Sequence, residues 1–195
     1  MTKLTCLCGM VLALLAAPAS ATTLSFAASA PAVQVGDTFT LDVLGADAPD
    51  LYAFQFDIAF DPAIVQATTV LEGDFLSAGG RATFFLPGAI DNSAGTVSFT
   101  ANTLAGPGPG VSGDGLVVHL SFHALAVGQS SLSFGNVVLL DSALMELATT
   151  HLGGAISVAS VPEPASVALF GIGLAVLTAG ARRRGRHTLP NPART

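Results

Sequence analysis

The sequence has 195 residues, 51% of them hydrophobic and only 10% charged, with a mean hydropathy of +0.66. This balance excludes a polar disordered chain, and 21 Gly with 11 Pro in no G-X-Y period exclude collagen and announce many turns. The net charge of −6 is unsuited to a nucleic-acid backbone, and it is zoned: residues 22–160 carry Arg81 alone against twelve acids, a net of −11, while Lys3 and the five other arginines stand in the ends.

In chain order, residues 1–21 read as a secretory signal peptide whose apolar core forms an N-terminal helix. Lys3 supplies the positive start, Met10 to Ala17 the apolar core, and Ala19-Ser20-Ala21 the small-residue cleavage site before Thr22. Cys6 and Cys8 leave with it. The mature chain then has no cysteine, so an exported domain here relies on its core rather than on disulfides.

Residues 22–160 show an apolar period of two. Phe39, Leu41 and Val43 alternate with Thr38, Thr40 and Asp42, and Tyr52, Phe54, Phe56, Ile58 and Phe60 alternate with Ala53, Gln55, Asp57 and Ala59. Val97, Phe99 and Ala101 alternate with Ser98, Thr100 and Asn102; Leu116, Val118, Leu120 and Phe122 alternate with Val117, His119, Ser121 and His123. Such alternation predicts strands with one buried and one wet face. Turn signals separate them at Val35-Gly36-Asp37, Asp61-Pro62, Asp91 to Gly95, Gly113-Asp114-Gly115 and Val127-Gly128-Gln129. The prediction is all-β, an antiparallel β-sandwich of about nine strands. Gly106-Pro107-Gly108-Pro109-Gly110 reads as a long loop within it.

Candidate chemistry is sparse. His119 and His123 share a strand face, but four residues span about 13 Å, too far for two nitrogens to reach one zinc unaided; both read as exposed strand histidines. Glu72 and Asp74 read as a solvated turn around Gly73 rather than as glycosidase carboxylates. Asp91-Asn92-Ser93-Ala94-Gly95 reads as a hairpin turn, lacking the acids and closing Glu of an EF-hand. No catalytic residue, no metal site and no cofactor are expected; calcium on so acidic a domain is left open without a site, and the ligand-binding residues are unknown. There is no Trp, the one Tyr falls in an inward phase, and most Phe residues read as core, which disfavours an aromatic sugar platform. The polar residues Gln55, Asp57, Ser98, Thr100 and Asn102 read as a wet face suited to a protein contact.

The C-terminal zone has three parts in order. Val161-Pro162-Glu163-Pro164 breaks secondary structure, and Ala165 to Ala181 is uncharged, about 25 Å long as a transmembrane helix. Arg182, Arg183, Arg184 and Arg186 then form a basic cluster that the positive-inside rule keeps in the cytoplasm. Residues 187–195 form a short tail.

Residues 161–186 closely resemble the PEP-CTERM sorting signal of Gram-negative bacteria. The resemblance implies recognition by the membrane protease-transpeptidase exosortase at Pro162, Glu163 and Pro164. It also implies an inner-membrane-anchored precursor that passes to the cell surface or exterior.

Between the ends, the order of Val33 to Phe39, Phe54 to Pro62, Glu72 to Leu76, Ser112 to Gly115 leading into Val117 to Phe122, and Gly154 to Val158 resembles a cohesin domain, a nine-stranded jelly roll. That resemblance implies a non-catalytic recognition, adhesion or matrix protein, with a dockerin-like protein or an extracellular polysaccharide as partner. The alternative reading is a carbohydrate-binding module on the same sandwich.

Overall fold

The computed structural model describes residues 21–29 and 33–160. The expected signal helix with Ala19, the sorting motif Pro162 to Pro164, the transmembrane helix and the arginine cluster lie outside the described residues. Among those described there are twelve strands and no helix: β1 (Thr22–Ala28), β2 (Val33–Gln34), β3 (Thr38–Leu51), β4 (Ala53–Ala59), β5 (Val65–Glu72), β6 (Thr83–Leu86), β7 (Ala89–Asp91), β8 (Thr96–Leu104), β9 (Val111–Ala124), β10 (Gly128–Leu140), β11 (Thr149–His151) and β12 (Gly154–Ala159). The predicted nine correspond to the longer strands. The other three, β2, β7 and β11, have two or three residues each, too few to show a period.

Two sheets face each other. The first has the order β11-β1-β3-β9-β5, and the second β2-β12-β10-β4-β8-β6, with β7 also on β8. The chain changes sheet at almost every connection, as a jelly roll does. Pairing is antiparallel except at two short edges, where β1 meets β11 and β12 meets β2 in parallel.

The alternation read from sequence builds the interior. Phe39, Leu41 and Val43 of β3, Phe54, Phe56 and Ile58 of β4, and Val118, Leu120 and Phe122 of β9 are all buried. Phe122 stacks on its cross-strand neighbour Phe39 with ring centroids 5.8 Å apart and meets Phe60, which follows β4 of the second sheet, edge-on at 5.3 Å, so an aromatic pair joins the two sheets. With no cysteine among residues 22–160, this core carries the fold.

Side-chain ties close one flank, where β5 of the first sheet lies near β6 to β8 of the second. Asn92, in the β7–β8 turn, uses its amide as a strand would: Nδ2 donates to the Ala67 carbonyl at 2.9 Å and Oδ1 accepts from the Ala67 N–H at 2.8 Å. This satisfies part of the exposed β5 edge, which would otherwise be open to pairing with another chain. Asn92→Ala is expected to cost about 1–2 kcal/mol, two net hydrogen bonds. A lowered urea midpoint at unchanged slope would show it.

The end of the sandwich opposite Ala159 is organised by Asp50. Its Oδ1 accepts from Gly110 N–H at 2.6 Å, and its Oδ2 from the Ser142 hydroxyl at 2.5 Å and the Ser142 N–H at 3.1 Å. The Ser142 hydroxyl, helped by the two backbone donors and opposed by partial burial, holds this carboxyl below its ordinary value. A depressed folded value means the contribution to stability is present above the unfolded value and lost as pH falls through the folded one. Asp50→Asn is therefore expected to flatten the fall of the urea midpoint between neutral pH and the acid range below the ordinary carboxyl value, relative to the parent.

Candidate protein-binding face

The outer face of the second sheet departs from the predicted pattern at one point. Phe56 of β4 pairs with Thr100 of β8, but Ile58 pairs with Val97, so Ser98 and Phe99 together oppose Asp57. This is a β-bulge, and Phe99 takes a left-handed φ of 59°. The extra residue reverses the phase of the rest of β8. Phe99, expected in the core, is 53% exposed, while Thr100 and Asn102, expected on the wet face, are buried.

A second bulge lies across Asp57. The register of β10 against β4 shifts between Gly135 and Val138, and Asn136 has φ 48°. Asp57 serves both bulges: Oδ1 accepts from the Phe99 N–H at 2.7 Å, and Oδ2 accepts from Asn136 Nδ2 at 2.5 Å. One carboxylate thus satisfies the backbone donor that the β8 bulge frees and pins the β10 bulge through the Asn136 side chain.

Burying Asn102 requires a partner, and the partner is Glu72. Its Oε1 accepts from Asn102 Nδ2 at 2.8 Å and from the Thr83 hydroxyl at 2.5 Å. The expectation of a solvated Glu72 is corrected accordingly: this carboxylate ties β5 to β6 and β8. Asp74 takes no part in these bonds, and its carbonyl accepts from the Ser77 hydroxyl.

With β8 rephased, apolar side chains gather outside. Ala53, Phe84, Leu86, Ala101, Val138 and Leu140 line a shallow groove of about 230 Å³ across β4, β6, β8 and β10. Leu86 and Phe99 also border a second depression over Pro87 and Ala89. Phe84 is 64% exposed at the rim. Gln55 remains on this face, as expected, with Thr103 beside it. Exposed apolar groups gathered in one area make this face a candidate for contact.

The opposite face is mainly polar, with Leu71 exposed beside His119. His119 and His123 both lie on β9 there, and His119 Nδ1 sits 2.5 Å from Asp42 Oδ1 across the β3–β9 ladder. The pair is half-buried, so His119 is less open than the sequence reading had it. Among the described residues no group of three His, Cys, Asp or Glu side chains converges on a point that could hold a metal. Asp91 Oδ1 accepts from the Ser93 and Ala94 N–H groups, the expected hairpin turn. Arg81 donates to the carbonyls of Pro109, Gly106 and Ala105 and lies 5.6 Å over the Tyr52 ring, fastening the Gly106 to Gly110 loop.

A cohesin-domain family profile matches residues 25–158, most of the sequence. The chain belongs to the cohesin family. A PEP-CTERM protein-sorting motif matches residues 160–184, marking the cohesin as an exported protein, membrane-anchored as a precursor and destined for the cell surface.

Solved cohesins share the fold at low sequence identity. The second type II cohesin module of the Acetivibrio cellulolyticus ScaA scaffoldin is 14% identical with a TM-score of 0.61, covering 73% of this chain and 93% of that one. A non-cellulosomal cohesin from the archaeon Archaeoglobus fulgidus is 15% identical with a TM-score of 0.55, covering 72% and 93%. The Coh-OlpC–Doc435 complex of Clostridium thermocellum, a type I cohesin–dockerin complex, gives 13% identity and a TM-score of 0.57, covering 75% and 99%. No curated protein matches the sequence.

Proposed function

We propose that this cohesin is an exported, non-catalytic recognition protein. It binds a dockerin or dockerin-like module through the outer face of its second sheet, and exosortase processes its tail at the surface of the inner membrane. The apolar groove between Phe84 and Val138, with Phe99 beside it, is the observation that carries the binding reading. An apolar centre with a polar surround is the usual anatomy of a protein–protein contact. Related folds crystallised with dockerins agree with a protein partner.

The mechanism is physical. The two bulges served by Asp57 hold the strands so that apolar side chains are presented without rearrangement, which lowers the ordering cost of association. The acidic domain, with Arg81 as its one Lys or Arg, attracts a partner whose contact surface carries Lys or Arg.

Titration calorimetry of residues 22–160 against dockerin modules from the same genome tests this. Saturable one-to-one binding is the expected outcome. Absence of heat with every module, together with binding on a glycan array, would replace it by the carbohydrate-binding reading.

A further inference from the structure

At the end of the sandwich where β12 finishes, a fixed turn holds apolar side chains in the open. The Ala159 carbonyl accepts from the Val35 N–H at 3.1 Å, and the Ala124 carbonyl accepts from the next residue, Gly36, at 2.9 Å. The β9–β10 turn, Leu125 to Val127, is therefore joined through two residues of backbone to the point where the chain leaves the domain. The N–H groups of Leu125 and Ala126 both reach the Ile64 carbonyl, at 2.8 and 3.4 Å. Gly128 closes the turn over the Ile64 side chain, where a Cβ would stand 2.6 Å from Cδ1. Held in this way, Leu125 is 40% and Val127 59% exposed, and Ala63 is exposed beside Ile64.

The acids are sorted along the same axis. Asp47, Asp50, Asp114, Asp141 and Glu146 stand at the opposite end, where β3 and β10 finish and β9 begins. The exit end has Asp37, Asp61 and Asp91, and each of these carboxylates accepts an N–H of its own turn, from Gln34, Ala63 and Ser93, all at 2.9 Å. Ser160 to Pro164 alone connect Ala159 to the uncharged stretch Ala165 to Ala181, a reach of about 18 Å at most. β3, which runs from one end of the sandwich to the other, has fourteen residues, roughly 45 Å of strand. While the uncharged stretch anchors the precursor, the exit end is tethered close to lipid and the acidic end is not. The far tip, with Leu144 and Met145 exposed, would meet lipid only by bringing its carboxylates onto it, which desolvation and headgroup charge oppose.

We propose that the exit end of the domain is a lipid-contact surface. In the anchored precursor Leu125 and Val127 enter the headgroup boundary of the bilayer, and the domain stands on this turn with its acidic end directed away. The proposal rests on the membrane-anchored precursor described above. A turn already fixed by its backbone bonds has little ordering left to undergo on entering the interface.

The chain has no Trp, so single-Trp variants report position without background. The anchored chain is purified from membranes and placed in nanodiscs of phosphatidylethanolamine and phosphatidylglycerol, with or without bromine on the acyl chains. Val127→Trp is expected to be quenched by the brominated lipid and to lose about threefold in acrylamide quenching relative to Met145→Trp, which stays in water. Adding Leu125→Asp to the Val127→Trp chain should restore acrylamide access. Equal acrylamide quenching of Val127→Trp and Met145→Trp, with no effect of bromine on either, overturns the proposal. Ile172→Trp, within the uncharged stretch, reports insertion separately. Its quenching by bromine shows the anchor in place, and its failure to be quenched overturns the anchored precursor together with the contact.

Discussion

Replacing Phe84 and Phe99 together by Ser is expected to weaken partner binding by about 100-fold or more, at little cost to folding. Exposed aromatics at the centre of a contact carry roughly 2 kcal/mol or more each when they act as hot spots, whereas surface substitutions usually change stability by only about 0.5 kcal/mol. Calorimetry of the double variant against the bound dockerin-like partner, beside its urea midpoint, separates the two effects. Phe99 allows a sharper test, because its left-handed backbone is costly for any residue but glycine. Phe99→Gly should therefore raise stability by about 1 kcal/mol while lowering affinity, opposite signs that a merely structural Phe would not give. Leu71→Ser, on an exposed residue of the other sheet, should leave affinity unchanged. Equal affinity of the double variant and the parent would rule out this face.

Gly73→Ala is expected to be the most damaging single-methyl change outside the core. Gly73 donates its N–H to the Val117 carbonyl at 3.0 Å, and Phe75 donates to Leu116, so the chain after β5 keeps close to β9. A Cβ at Gly73 would stand 2.1 Å from the Leu116 carbonyl oxygen and 2.5 Å from its carbon. Both obstacles are backbone atoms, which cannot rotate away as a side chain would. The loss is expected to be about 3 kcal/mol or more, or roughly 10 °C in Tm for a domain of this size. Gly79→Ala, where a Cβ meets nothing within 4 Å, serves as the control and should be neutral or slightly stabilising. Differential scanning calorimetry of the two variants checks the contrast, and similar Tm values would show that the β9 backbone yields at Gly73.

The alternation of Phe54, Phe56 and Ile58 was legible because burial on one face imposes a period of two along each uninterrupted strand. β8 was legible only as far as Ser98. Its bulge depends on a carboxylate in β4, and no pattern within β8 announces the additional residue. Everything beyond it was consequently read in the wrong phase, from Phe99 placed inside to Asn102 placed outside. Asn102 also shows why polarity alone misled: its burial is made tolerable by Glu72, thirty residues earlier in the chain and reached only through folding. The proposed binding face was hidden for the same reason, since Phe99 reads as core in the sequence and Phe84 lies in a strand of four residues. The sorting motif needed no tertiary information, because its three parts are contiguous.

Arg81 has a consequence for how copies of this domain behave together. With its guanidinium engaged on loop carbonyls, no lysine or second arginine within residues 22–160 can answer the acids of a neighbouring molecule. Like-charged copies repel one another over a Debye length, about 10 Å at 0.1 M salt. Copies brought side by side would therefore repel at close range, and that repulsion would weaken as the salt around them rises.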